Sequence, residues 1–203
     1  MGVIRFYEDG LLTERLSENQ AFTSPDTAFI QPDASSQDAE LFVAVERATL
    51  ATGIDADTTS IEISDTFTPL FGSNIIAKLD AEILLINSHN GQYLDVVRGF
   101  LGSTATTHSG GSLIYALYDS TNIFVQARDR TPGSGAAANW YKFALTQGGL
   151  DNPDATSYIT LGNMDVDQTA SVWRRVTVPP SEPYSVYTDV SINYNAFVNV
   201  ALS

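Results

Sequence analysis

The sequence predicts an all-β protein whose largest part is a β-sandwich. Two observations lead there: short alternating or apolar runs recur along the chain with turn formers between them, and Asn90-Gly91 joins two such runs as a hairpin signal.

Val3-Ile4-Arg5-Phe6-Tyr7 is an edge or opening strand, closed by the turn residues Asp9-Gly10. Ser24-Pro25-Asp26 and the stretch from Gln31 to Ser36 are rich in turn formers, and strand returns from Glu40 to Ala48. Ser60-Ile61-Glu62-Ile63-Ser64 alternates cleanly, which places Ile61 and Ile63 on one face. Asp80 to Asn87 is short, and the Asn90-Gly91 that follows decides for strand, because this dipeptide reaches positive φ at little cost. Tyr93 to Arg98 is then the return strand. Gly99, Gly102, Gly110 and Gly111 punctuate a Thr- and Ser-rich loop, and Ser112 to Leu117 closes the module.

After Asp119, strand signals recur at Ile123–Ala127, Trp140–Phe143 and Tyr158–Leu161. Val172 to Val178 ends at Pro179-Pro180, which cannot donate to a central ladder. Val186, Thr188, Val190, Ile192 and Tyr194 alternate with Tyr187, Asp189, Ser191 and Asn193. Many short strands with frequent turns are the pattern of a sandwich. Gly133-Ser134-Gly135-Ala136-Ala137-Ala138 reads as a flexible loop between strands.

At 203 residues the chain can fill one large domain or two small ones. No run approaches the roughly 18 apolar residues that cross a bilayer, so no membrane insertion is expected. The N-terminus has acids where a signal peptide needs an apolar stretch, and Phe6 stands where myristoylation after Gly2 needs Ser or Thr. The absence of cysteine excludes disulfides and thiolate metal sites. A net charge of −14, with 24 acids against 10 Lys plus Arg, repels phosphate backbones. Arg174-Arg175 and the looser Arg128/Arg130 are the basic clusters, and no nucleic-acid partner is expected.

The residues offer few chemical sites. His89 and His108 share no local chelating spacing. Asp55-Ala56-Asp57 and Asp165-Val166-Asp167 could begin calcium loops, but their sixth positions are Ser60 and Ala170, where an EF-hand needs Gly. They read as solvated turn carboxylates, with a cation site of another kind left open in such loops. Asp80 and Glu82, two apart on a strand, share a face and could form the carboxylate pair of a glycoside hydrolase. With no cleft to support that, they read as a solvent-facing strand edge. Gly133-x-Gly135-x-x-Ala138 matches a dinucleotide fingerprint, yet an aromatic strand follows it where a helix should. No catalytic residue, cofactor or metal is therefore expected. Among the aromatics, Trp140 and Trp173 read as core. Tyr184 and Tyr187, beside prolines and on the polar phase of the last strands, are the candidate protein interface.

The segment Arg98-Gly99-Phe100-Leu101-Gly102-Ser103-Thr104-Ala105-Thr106-Thr107-His108-Ser109-Gly110-Gly111 resembles a module of tailed-bacteriophage virion proteins, with the pattern Arg-Gly-aromatic-x-Gly-Thr-Thr-Ala-x-x-His-x-x-Gly. Ser103 in place of the first Thr is its mild departure. Tyr7-Glu8-Asp9-Gly10, Trp173-Arg174-Arg175-Val176-Thr177-Val178-Pro179 and Thr188-Asp189-Val190-Ser191-Ile192 resemble the opening and closing segments of a β-sandwich in phage structural proteins. The resemblance implies that residues 1–46 and 119–203 form a sandwich from both chain ends, with 47–118 inserted as a small β-barrel-like module. A tandem of two domains split near Asp119 is the competing organisation. It also implies that Arg98, Gly99, Gly102 and His108 are structural, with His108 pinning the Thr-rich loop by hydrogen bonds.

The function implied is that of a non-enzymatic virion component, made in the bacterial cytoplasm and placed at the tail, baseplate or fibre attachment. Its expected partners are other virion proteins and further copies of itself in a symmetric assembly. The alternatives are a capsid decoration protein, a host-glycan-binding module and, third, an enzyme on host surface polysaccharide.

Overall fold

The computed structural model describes residues 4–12, 36–64, 74–129, 138–180 and 190–201. Within them the chain is all-β, and helical structure is confined to short 3-10 turns. Strands are numbered in chain order. One antiparallel sheet has the order β1 (Ile4–Tyr7), β2 (Ser36–Val45), β12 (Ala170–Thr177), β10 (Tyr141–Ala144). A second runs β11 (Tyr158–Met164), β9 (Tyr118–Asp129), β13 (Val190–Val200). The third has six strands: β3 (Arg47–Thr49), β8 (Leu113–Ala116), β5 (Ile75–Leu79), β6 (Glu82–Asn90), β7 (Tyr93–Val97), β4 (Ser60–Glu62).

The first two sheets pack as a sandwich, and strands from both ends of the chain build them. Phe6 of β1 lies against Tyr194 of β13, ring centroids 6.1 Å apart, and the Tyr194 hydroxyl accepts from the Ile4 amide at 3.3 Å. Leu41, Val43 and Val172 from one sheet share a buried cluster with Ile123 and Val125 from the other. On β12 the buried phase is Val172, Arg174 and Val176. Trp173 falls on the opposite phase, paired with Glu40 and half-buried, so it is not the core residue expected; Trp140 is buried. Two residues apart in a strand share a face, and here that rule sends an arginine inward and a tryptophan outward.

The six-stranded sheet draws only on residues 47–116 and curls until its edges meet. Leu50, just after β3, bridges Ile63, just after β4; Ala51 donates to the Glu62 carbonyl and Ser64 to that of Thr49, both at 2.9 Å. Its inward phases carry Leu84 and Ile86 on β6 and Leu94 and Val96 on β7, all at most 2% exposed. Burying each such side chain contributes about 1.5–3 kcal/mol.

The hairpin signal holds with a shift of one residue. Asn90 pairs with Tyr93, so the two loop residues are Gly91 and Gln92, with Gly91 at φ +59° in the first position. That is the place where a type II′ turn takes glycine. Likewise Leu79 pairs with Glu82, which makes Asp80-Ala81 a two-residue turn with Asp80 at φ +53°. Asp80 is thus a turn residue rather than the start of a strand.

Candidate functional site

Glu82 stands at the head of β6 in the same inward phase as Leu84 and Ile86, and Arg98 continues the inward phase of Leu94 and Val96. Both are buried there, the Arg98 side chain 5% exposed and that of Glu82 not at all. There they pair: Arg98 Nε and Nη2 donate to Glu82 Oε1 and Oε2, both at 2.8 Å. This is the two-pronged fork geometry that makes arginine–carboxylate pairs strong and directional.

The rest of the guanidinium ties down backbone. Nη1 donates to the carbonyls of Asp55 (2.7 Å) and Thr58 (2.9 Å), and Nη2 to that of Thr106 (2.6 Å). All five N–H groups of Arg98 are thereby used. Glu82 is as well provided. Besides Arg98 it accepts from the Gly99 amide at 2.9 Å, the Thr106 amide at 3.2 Å and His108 Nε2 at 2.9 Å. Burial pushes its carboxyl up, but the hydrogen bonds from Arg98, His108, Gly99 and Thr106 outweigh it and hold the group at about 2.

His108 is the second node. Its backbone pairs with Ile54 in both directions, N to O at 2.9 and 3.0 Å. Its ring, buried, lies between Glu82 at Nε2 and Asp80 Oδ2, 2.7 Å from Nδ1. Ser103 Oγ accepts from the Ile83 amide at 2.9 Å and lies 3.0 Å from the Phe100 carbonyl, which it donates to. The turn before it needs glycine at 99: φ is +59°, and a Cβ there would sit 2.9 Å from the Ser103 carbonyl oxygen. Gly102 (φ +83°) belongs to the same turn but has open space where its Cβ would be. Leu101 between them is also left-handed, at φ +53°, and is 53% exposed.

Of the sequence-predicted residues, then, Arg98, Gly99 and His108 converge on Glu82, with Asp80 on the far side of the imidazole. The expectation that Asp80 and Glu82 form a solvent-facing strand edge is corrected for Glu82, which is 1% exposed. The signal was in the alternation, one step beyond the apolar residues of β6. Nor do the two carboxylates suit glycoside hydrolysis, which needs one acid kept protonated near neutrality. Glu82 is held in the opposite direction and locked to Arg98. Thr106 Oγ1, His108 and Asp80 line up as a hydroxyl–imidazole–carboxylate relay would, with Oγ1 3.3 Å from Nε2. That nitrogen is already bonded to Glu82 at the shorter distance of 2.9 Å, so it is not a base free to take the hydroxyl proton.

The remaining candidates disperse. His89 lies on β6 opposite Leu94. Asp55 Oδ1 accepts from the Asp57 amide (3.1 Å) and Thr58 Oγ1 (2.6 Å), the internal bonding of an Asx turn. Among the described residues no group of three or more His, Asp or Glu is placed to hold a metal ion. Arg174-Arg175 makes no basic patch: Arg174 is buried, and Arg175 is bound by Asp38 (2.6 and 2.8 Å) and Asp151 (2.7 Å). Tyr184, Tyr187, Arg130 and residues 133–137 of the Gly/Ala tract lie outside the described residues. Compared with protein-family models and with curated proteins, the chain matches none.

Proposed function

We propose that this chain is a structural component of a tailed-phage particle, working by assembly at the tail, baseplate or fibre attachment. On this reading both chain ends build the sandwich and residues 47–118 form an inserted module. The observation that carries it is the saturated cluster of Glu82, Arg98 and His108. These are the side chains that would do chemistry, and their polar atoms are spent on holding three backbone segments together. The Arg98 to His108 pattern is also the part that resembles the virion module.

The surfaces support the same reading. Among the described residues β13 stands at the edge of its sheet, and its eleven residues contain neither a charge nor a proline, two devices that keep edge strands from pairing with other chains. Phe197 on that strand is 71% exposed, and Tyr158 on β11, stacked on Phe124 with centroids 5.4 Å apart, is 52% exposed. Weak contacts of this kind become strong when symmetric copies engage together.

The test is quantitative mass spectrometry of purified particles after heads and tails are separated. The chain is expected in the tail fraction in integral, repeated copies. Presence in heads alone would favour the capsid-decoration alternative, and absence from both would refute the virion reading.

A further inference from the structure

We propose that His108 is a pH-sensitive latch: with a proton on each ring nitrogen, and only then, it ties the 99–111 loop to both Asp80 and Glu82. Nδ1 lies 2.7 Å from Asp80 Oδ2 and Nε2 lies 2.9 Å from Glu82 Oε2. An ionised carboxylate only accepts, and a neutral imidazole has a single N–H. One contact would therefore set a bare nitrogen lone pair against carboxylate oxygen. The His108 side chain is 3% exposed, so water is poorly placed to replace the lost bond.

The groups facing the ring come from every element packed on it. Asp80 comes from the turn between β5 and β6, and Glu82 from β6. Arg98, after β7, reaches the ring only through Glu82. Asp55, on the segment that pairs with His108, spends its carboxylate on its own turn. Thr106 Oγ1 and Ser112 Oγ add hydroxyls, at 3.3 Å from Nε2 and 3.4 Å from Asp80 Oδ2. With both ring protons present, two carboxylates face one guanidinium and one imidazolium, and the cluster is neutral. Loss of one proton leaves the cluster with a net negative charge, in a chain whose formal charge with neutral histidines is −14.

The proton that leaves is the one on Nδ1. Its partner Asp80 has a side chain 57% exposed and can turn to water, whereas Glu82, fully buried, keeps the bond to Nε2. Rising pH thus frees the loop from the β5–β6 turn while the Arg98–Glu82 pair stays closed. This inference does not depend on where the protein is used.

Two measurements on the intact ¹⁵N-labelled chain test it. The first is the ring nitrogen spectrum, with His89→Gln leaving His108 as the one histidine; should that variant fail to fold, the wild-type chain, with two rings of different burial, gives the same reading. Both His108 nitrogens should carry protons at the acid end of the titration, as the two carboxylate contacts require, and one should lose its proton as pH rises. The second is amide exchange at Gly99, Thr106 and His108, corrected for base catalysis. It should accelerate roughly 10- to 100-fold through the same titration, the range of one charge-assisted hydrogen bond. A ring that is neutral throughout the folded range would overturn the proposal, as would a ring that keeps both protons until the chain unfolds in alkali. Exchange that ignores the titration would do so too.

Discussion

Replacing Glu82 by Gln isolates what the polar plug contributes. The substitution keeps the shape, removes the charge and turns one acceptor oxygen into a donor. Oε1 faces Arg98 Nε and the Gly99 amide; Oε2 faces Arg98 Nη2, the Thr106 amide and His108 Nε2. Whichever way the amide lies, at least two of these donors meet another donor. Arg98, with a side chain 5% exposed, also loses its counter-charge. Breaking one side of a buried pair costs about 3–5 kcal/mol. For a chain of 203 residues, at about 2–4 °C per kcal/mol, the melting temperature should fall by roughly 6–20 °C. Circular dichroism melts at neutral pH read this directly. A fall under about 2 °C, the effect of an ordinary surface change, would mean that the buried pair contributes little. A control sharpens it: Glu82→Leu with Arg98→Leu removes both charges and should destabilise less than either single change.

Other expectations follow from the same geometry. Because the Glu82 carboxyl titrates at about 2 rather than at the ordinary 4.5, the native state binds fewer protons than the unfolded chain between those values. Its contribution is complete above pH 4.5 and fades as pH falls through about 2. Urea midpoints of wild type and Glu82→Gln should converge over that window, and a constant gap would contradict the assignment. Gly99→Ala should destabilise by clearly more than Gly91→Ala: both glycines have φ +59°, but only at 99 does a Cβ strike backbone. Equal losses, each about 1–2 kcal/mol from the left-handed backbone alone, would show that the Ser103 contact yields. Leu101→Gly relieves a left-handed leucine that is half exposed and should leave stability unchanged or raise it by up to about 1 kcal/mol. A marked loss in denaturant titrations would mean the side chain packs more than its exposure shows.

Much of this fold is legible in the sequence because its strands follow a period of two. Ile61 and Ile63 are both buried as their alternation requires, and β6 and β7 flank the glycine that turns between them. The polar plug is harder to read, since a charged residue at a strand end is ordinarily assigned to solvent. Extending the phase of Leu84 and Ile86 back to Glu82, and of Leu94 and Val96 forward to Arg98, puts both inside. Trp173 misleads for the opposite reason: its size suggests core, but Val172 and Val176 fix the inward phase of β12 and exclude it. Sheet closure through Leu50 and Ile63, and the pairing of Ile54 with His108, rest on isolated bridges between distant segments. No local pattern marks those. The turn at Gly91-Gln92 differs from an Asn-Gly turn by one residue, because the register of β6 against β7 decides the loop.

The proposed role as a repeated structural part of a tailed particle is best examined by electron cryo-microscopy of that particle. Density for the sandwich and the six-stranded module should then appear in symmetric copies at the tail end, with β13 or its neighbouring surface against another subunit. A complete particle whose every density is filled by other chains would rule that role out.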